Sequence, residues 1–181
     1  MEVVLSTFRQ DNTVSSSLKI DFNRLLATHH DRLYWMIRKI VLGHQDAQDV
    51  LQNTWIKIHK GLPGFKGESK IETWMFRIAY NECMRFLKQK RHHYRIDEVD
   101  KSYLETLSAD PYFSLAESEQ NLHKALATLK EKERHVFNLK YFDVFKFSEV
   151  AVMTNSNENS VKTLYYKAEK KIKQYFKITG I

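Results

Sequence analysis

Proline, glycine and cysteine are all scarce in this 181-residue chain: two, five and one residue respectively. So few turn formers argue against a sheet protein built on tight hairpins and for long helices joined by short links. The lone Cys83 builds neither an internal disulfide nor a thiolate zinc site, as expected of a protein kept in a reducing compartment. No stretch approaches the roughly 18 consecutive apolar residues of a membrane span. The first twenty residues mix Glu2, Arg9, Gln10 and Asp11 with serines, unlike a secretory leader. A cytoplasmic location is the expectation.

What is present fits a folded helical protein. Hydrophobic residues make up 43% and aromatics 13%, enough to bury real cores. The net charge of +7 and pI near 9.3 favour a polyanionic partner. Charge is also segregated. Residues 92–120 carry seven acids (Asp97, Glu98, Asp100, Glu105, Asp110, Glu117 and Glu119) against Arg95 and Lys101. This stretch lacks a sustained helical period and holds the breaking pair Asp110-Pro111. It reads as an acidic linker between two basic helical domains, 21–91 and 121–181, after a flexible N-terminal tail over 1–20.

In the first block Phe22, Leu25, Leu26, His29, Leu33, Ile37, Ile40 and Val41 recur at three- and four-residue steps, until Gly43 breaks the helix. A second stripe, Ala47, Val50, Leu51, Thr54, Trp55 and Ile58, begins near Asp46 and ends at the turn Gly61-Leu62-Pro63-Gly64. Ser69 and Glu72 have the spacing of a capping box opening a third helix to about Arg91, with Ile71, Met75, Ile78, Phe86 and Leu87 inward. Tyr80 and Asn81 then fall on the opposite, exposed side. In the second block Leu122 to Leu129 makes a short helix, followed by one carrying Val136, Phe137, Lys140 and Tyr141. Helices over Phe147–Met153 and Glu158–Phe176, separated only by Thr154-Asn155-Ser156-Asn157, form a helix-turn-helix. Asn155 suits the left-handed turn position and Asn157 the cap of the second helix.

Three surfaces carry candidate chemistry. The last helix presents Asn159, Ser160 and Thr163 near its start and lysines at 162, 167, 170, 171 and 173, short polar groups for base edges and cations for phosphates. The third helix sets Thr73, Arg77, Tyr80, Asn81, Met84, Arg85 and Lys88 on its outer side, with Trp74 and Phe76 between the faces. Rings beside Arg and Asn suit unstacked single-stranded bases; an ordinary core role competes, more strongly for Trp74 than for Tyr80. The second helix keeps Asp46, Gln48, Asp49, Gln52 and Asn53 on its polar side, a docking face or merely a solvated one.

In order and spacing these runs resemble the extracytoplasmic-function (ECF) sigma factors of the sigma-70 family. Asp46 through Trp55 looks like the polymerase-binding helix of sigma region two. Phe65-Lys66-Gly67-Glu68-Ser69, then Thr73 through Asn81, look like its promoter-melting segment. Leu129 through Phe142, Glu149-Val150-Ala151 and Ser160 through Ala168 look like region four. The resemblance implies an all-α fold of two small domains and a non-enzymatic transcription initiation factor. Asp46, Gln48, Asp49, Gln52 and Asn53 would dock on the clamp helices of the polymerase β′ subunit. Phe65, Lys66, Gly67, Glu68, Ser69, Thr73, Arg77, Tyr80, Asn81 and Arg85 would hold the −10 strand. Asn159, Ser160, Lys162, Thr163, Tyr166 and Lys167 would read the −35 duplex. The β flap of polymerase, promoter DNA and an anti-sigma factor that can hold the protein at the inner membrane are the implied partners; no cofactor or metal is implied. Departures from the family pattern cluster in the second block: Thr154, Asn155 and Ser156 at the turn, Val144 where glycine is common and Lys146 where a capping Ser or Thr is common.

Two other readings compete. A helix-turn-helix regulator that never docks on polymerase would leave the first block without a role. A metal-dependent phosphodiesterase using His29-His30 and His92-His93 fails on spacing, because adjacent histidines point to different helix faces.

Overall fold

The computed structural model describes residues 20–93 and 117–180, with side-chain surroundings for 20–90 and 121–180. Among these, seven α-helices and no strand are present: α1 (Phe22–Val41), α2 (His44–Gly61), α3 (Ile71–His93), α4 (Glu117–Ala127), α5 (Glu131–Tyr141), α6 (Phe147–Met153) and α7 (Glu158–Thr179). A short 3-10 turn, Leu62–Gly64, follows α2. Helices α1 to α3 form an N-terminal module and α4 to α7 a C-terminal one. Helix α4 starts inside the stretch read as linker, and the rest of that stretch lies outside the described residues.

Local chemistry explains most boundaries. The Asp21 carboxylate accepts a hydrogen bond from the Asn23 N–H at 2.9 Å and caps α1. The α1–α2 corner is made by Leu42, whose φ is +67°, while Gly43 serves as the N-cap of α2. The expected break at Gly43 is thus displaced by one residue. The Ser69–Glu72 capping box does not form: the Ser69 hydroxyl donates to the Lys70 carbonyl, and Glu72 pairs instead with Arg32 of α1. A cation across the helix interface outcompetes a local amide for that carboxylate.

The helix-turn-helix follows the sequence closely. Asn155 adopts φ +50°, and the Asn157 side chain accepts from the Ser160 N–H at 2.7 Å. The Ser156 N–H donates to the Ala151 carbonyl, closing the end of α6. Val144 stands in the left-handed region at φ +61°, a conformation costly for a β-branched side chain. Lys146 caps nothing with its own side chain; the Glu149 carboxylate accepts from its N–H at 2.8 Å and completes half of a capping box.

The two modules pack against each other. One apolar core joins Leu33, Met36, Ile37, Trp55, Met75, Phe76 and Ala79 of the N-terminal module to Val136, Leu139, Phe145, Val150 and Met153 of the C-terminal one. A second cluster, around Leu126, Leu129, Phe137, Ala168 and Ile172, takes in Leu42 from the α1–α2 corner. Helix α3 is therefore buried on two sides, by α1 and α2 and by α6. This corrects the expected face of α3. Phe76, Ala79 and Tyr80 are buried, whereas Ile71, Ile78, Phe86 and Leu87 are only partly so.

Candidate polymerase and nucleic-acid interfaces

On α2, Ala47, Val50, Leu51, Thr54, Trp55 and Ile58 turn inward, which leaves Gln48, Asp49, Gln52 and Asn53 exposed along the outer face. Asn53 donates to the Asp49 carbonyl at 2.9 Å, and Asp46 is held by Lys90 of α3 at 2.7 Å. The stripe is thus a row of amides and one open carboxylate on a helix backed by a packed core. Beneath α2, Glu82 is buried and paired with Lys57 and Arg85. Burial raises its pKa, but hydrogen bonds from Lys57 and Arg85 outweigh it and hold the carboxyl below its ordinary range.

The ten residues expected at the −10 strand divide between two surfaces. Lys66, Gly67 and Glu68 lie on an exposed loop whose Gly67 has φ +74°. Phe65 and Ser69 at its edges are partly covered. The Phe65 ring lies 5.3 Å from that of Trp74, so Trp74 props the loop from below. Arg77, Asn81 and Arg85, at four-residue steps along α3, continue the exposed surface, with Arg85 tied to Glu82 at 2.6 Å. Thr73 and Tyr80 point the other way, into the contact with the C-terminal module. The expectation of an exposed Tyr80 is overturned: it is 8% exposed, with its ring edge-on to His135 of α5 at 5.9 Å. Burial pushes its phenol up to about 12. Periodicity within α3 cannot reveal a partner more than fifty residues further along the chain.

Three cations that sequence reasoning did not single out stand around this contact: Arg32 and Lys39 of α1, seven residues apart on one side of that helix, and Lys70 before α3; Lys39 is partly buried, whereas Arg32 and Lys70 remain exposed. Lys39 meets Asp143 at 3.1 Å, and Lys70 meets Glu149 at 2.8 Å. Arg32 donates to the Asp143 carbonyl at 3.2 Å and lies over the rings of Phe76 and Phe145. Burial pushes the Asp143 carboxyl above its ordinary range against the pull of Lys39 and Arg32. Such a pair fixes position more than it adds stability.

On α7, Val161, Ala168 and Ile172 turn into the core, and Asn159, Ser160, Thr163, Tyr166 and Lys167 are exposed. Tyr166 is 56% exposed. Lys162 is partly covered and paired with Glu158 at 2.6 Å, one turn earlier. Thr163 donates its hydroxyl to the Asn159 carbonyl at 2.9 Å, which orients both residues along the helix start. The outer face therefore presents amide, hydroxyl, phenol and ammonium groups, the types that contact base edges and phosphates.

Comparison with known proteins covers both modules. The chain matches the family Sigma-70 region 2 over residues 25–93 and the family Sigma-70, region 4 over residues 119–172. It belongs to the sigma-70 family. Within that family it is a sigma factor of the ECF type. RNA polymerase sigma factor SigV of Bacillus subtilis is 25% identical over 145 residues, covering 80% of this chain and 84% of that one. RNA polymerase sigma-H factor of Pseudomonas aeruginosa is 24% identical over 161 residues, covering 83% of each. In fold, the sigma factor RpoE of Bartonella quintana, solved with the anti-sigma factor NepR, superposes with a TM-score of 0.72 at 20% identity. That match covers 87% of this chain and 98% of RpoE.

Proposed function

We propose that this chain docks on core RNA polymerase through the outer face of α2 and directs it to promoters with two separate DNA-reading surfaces. The α2 row of Asp46, Gln48, Asp49, Gln52 and Asn53 takes the β′ clamp helices. The loop 65–69 and α3, with Arg77, Asn81 and Arg85, hold the displaced −10 strand, and Thr73 and Tyr80 join them once the C-terminal module moves away. The face of α7 carrying Asn159, Ser160, Lys162, Thr163, Tyr166 and Lys167 reads the −35 duplex, with the C-terminal module seated at the β flap. The reading rests above all on one observation. A polar docking row, an aromatic and basic strand surface and a basic recognition helix occur in one chain, on modules that match sigma regions two and four in order.

A regulator that uses only α7 would have no use for the α2 row or the 65–69 loop. Sigma factors act without chemistry of their own, so no residue is assigned a catalytic role. Among the described residues no helix is long and apolar enough to cross a membrane, and a partner of core polymerase works in the cytoplasm. Structures similar in fold were solved with the anti-sigma factor NepR and with the cytosolic domain of CnrY. An anti-sigma protein is accordingly the regulator we assign to this chain. In-vitro transcription with bacterial core polymerase on genomic fragments is the decisive experiment. Discrete transcripts that require this protein are expected. Duplex binding without polymerase, combined with no added transcripts, would overturn the reading in favour of a simple regulator.

A further inference from the structure

One buried carboxylate stands where the proposed docking helix meets the proposed strand surface. Glu82 of α3 is 4% exposed, yet both of its partners reach outward: the side chains of Lys57 on α2 and Arg85 on α3 are half exposed. Lys57 donates to one carboxylate oxygen, and Arg85 donates to the other at 2.6 Å. Each partner lies one turn beyond a surface residue already described, Lys57 past Asn53 and Arg85 past Asn81. The carboxyl is held below its ordinary range, so it is ionised at neutral pH. A negative charge is an odd neighbour for a surface that receives phosphates, because it weakens their attraction to Arg85. The arrangement limits that cost. Two cations share one carboxylate, so the cluster stays net positive, and the contact takes one amino group of Arg85 and leaves other guanidinium donors for a ligand.

Building on the function proposed above, we infer that Glu82 is a positioning residue for strand capture: it aims Arg85 at a backbone phosphate of the displaced strand and acts through that guanidinium. Lys57 completes the tether. By holding the second oxygen it keeps the carboxylate from turning, so Arg85 is fixed to a set point in the α2–α3 seam rather than to a swinging side chain. A free arginine loses rotamer freedom when it binds. One already held in place loses less, and affinity rises by the difference. The same carboxylate spans α2 and α3, so the strand surface is also tied to the helix proposed to dock on polymerase. Simple charge repulsion predicts the opposite sign: a carboxylate that merely sat nearby would weaken phosphate binding, and its removal would tighten it.

The test uses holoenzyme assembled from the full chain and bacterial core polymerase. Its probe is a labelled bubble template, unpaired at the −10 element, built on a genomic fragment that the wild-type chain transcribes and read by fluorescence anisotropy across a salt series. Glu82→Gln keeps the shape and removes the charge. It should weaken template binding about three- to tenfold, the scale of one side chain immobilised on binding, although the protein becomes more positive. Arg85→Ala should weaken binding at least as much and lower the salt slope by about 0.7, one phosphate contact on a single strand. Adding Glu82→Gln to Arg85→Ala should then change nothing, because residues that act through one another are not additive. Lys57→Ala, an exposed change that frees the same carboxylate, takes its place if Glu82→Gln folds poorly by circular dichroism; its loss too should vanish beside Arg85→Ala. Tighter binding by Glu82→Gln, or a full further loss in the double variant, would overturn the inference. The first outcome makes Glu82 a repulsive charge and the second a packing residue. Reduced polymerase retention by Glu82→Gln in a pull-down would place its effect on docking and overturn the inference as well. A wild-type chain that supports no transcription refutes the sigma-factor assignment and this role with it, whereas wild-type transcription with additive variants refutes the positioning role alone.

Discussion

The two helices proposed to read DNA stand in opposite states. Helix α7 offers its proposed reading face to solvent, with Tyr166 56% exposed, whereas two of the five α3 residues assigned to the strand, Thr73 and Tyr80, are sealed, with Tyr80 at 8%. Similar residue types, a tyrosine beside amides and cations, thus have different energetic roles. On α7 they can be changed without touching a core. On α3 the same change opens a cavity and loosens the seam between modules.

Phe76 gives the sharpest way to break the contrast. It is fully buried on α3 against Phe145, with Arg32 of α1 over its ring, so Phe76→Ala should cost about 3–5 kcal/mol of stability. Tyr166→Ala on α7 should shift stability by no more than about 0.5 kcal/mol yet weaken −35 duplex binding. Thermal and urea unfolding beside a duplex-binding titration would check both; equal destabilisation by the two would erase the distinction.

Tyr80→Ala comes next. Loss of one base platform, worth about 1–3 kcal/mol, should cut open-complex occupancy roughly five- to a hundredfold where opening is near balance. Polymerase association should persist. Asn81→Ala, exposed on the same helix, should impair opening without the accompanying loss of stability. Permanganate reactivity of promoter thymines at matched occupancy measures this. Wild-type reactivity in both variants would remove α3 from strand capture.

Salt dependence sharpens the α7 side. Lys167→Ala should flatten the salt slope of −35 duplex binding by about 0.9, the signature of one phosphate no longer neutralised. Lys162→Ala should do less, because Glu158 already neutralises that ammonium. On α2, Asp49→Arg and Gln52→Arg should leave unfolding midpoints nearly unchanged, as exposed substitutions usually do, while core-polymerase retention falls. Retention at the wild-type level would return the α2 row to ordinary solvated surface.

The smallest effect concerns pH. Glu82 is held below the ordinary carboxylate range, so the stability it contributes is complete above that range, near pH 4.3 for a free glutamate. It is lost as pH falls through the lowered folded-state value. Wild type should therefore lead Glu82→Gln in melting temperature at neutral pH, and the gap should close on acidification toward pH 3. A gap independent of pH would mean that Glu82 acts by shape rather than by charge.

Much of this was legible in the residue pattern, for reasons that are local. The inward stripe of α2, the turn at Asn155, the cap at Asn157 and the outer face of α7 each depend on residues within one or two helical turns of each other, where periodicity and capping chemistry decide the outcome. The order of the region-two and region-four segments was equally open to reading. The sequence could not show that Glu72 would abandon a cap for Arg32, that Leu42 would enter the second module's core, or that Tyr80 and Thr73 would be covered. Each of those depends on residues far apart in the chain meeting in space. A carboxylate, a leucine and a tyrosine go where charge pairing and apolar burial are greatest, and only the packing of the two modules creates those places.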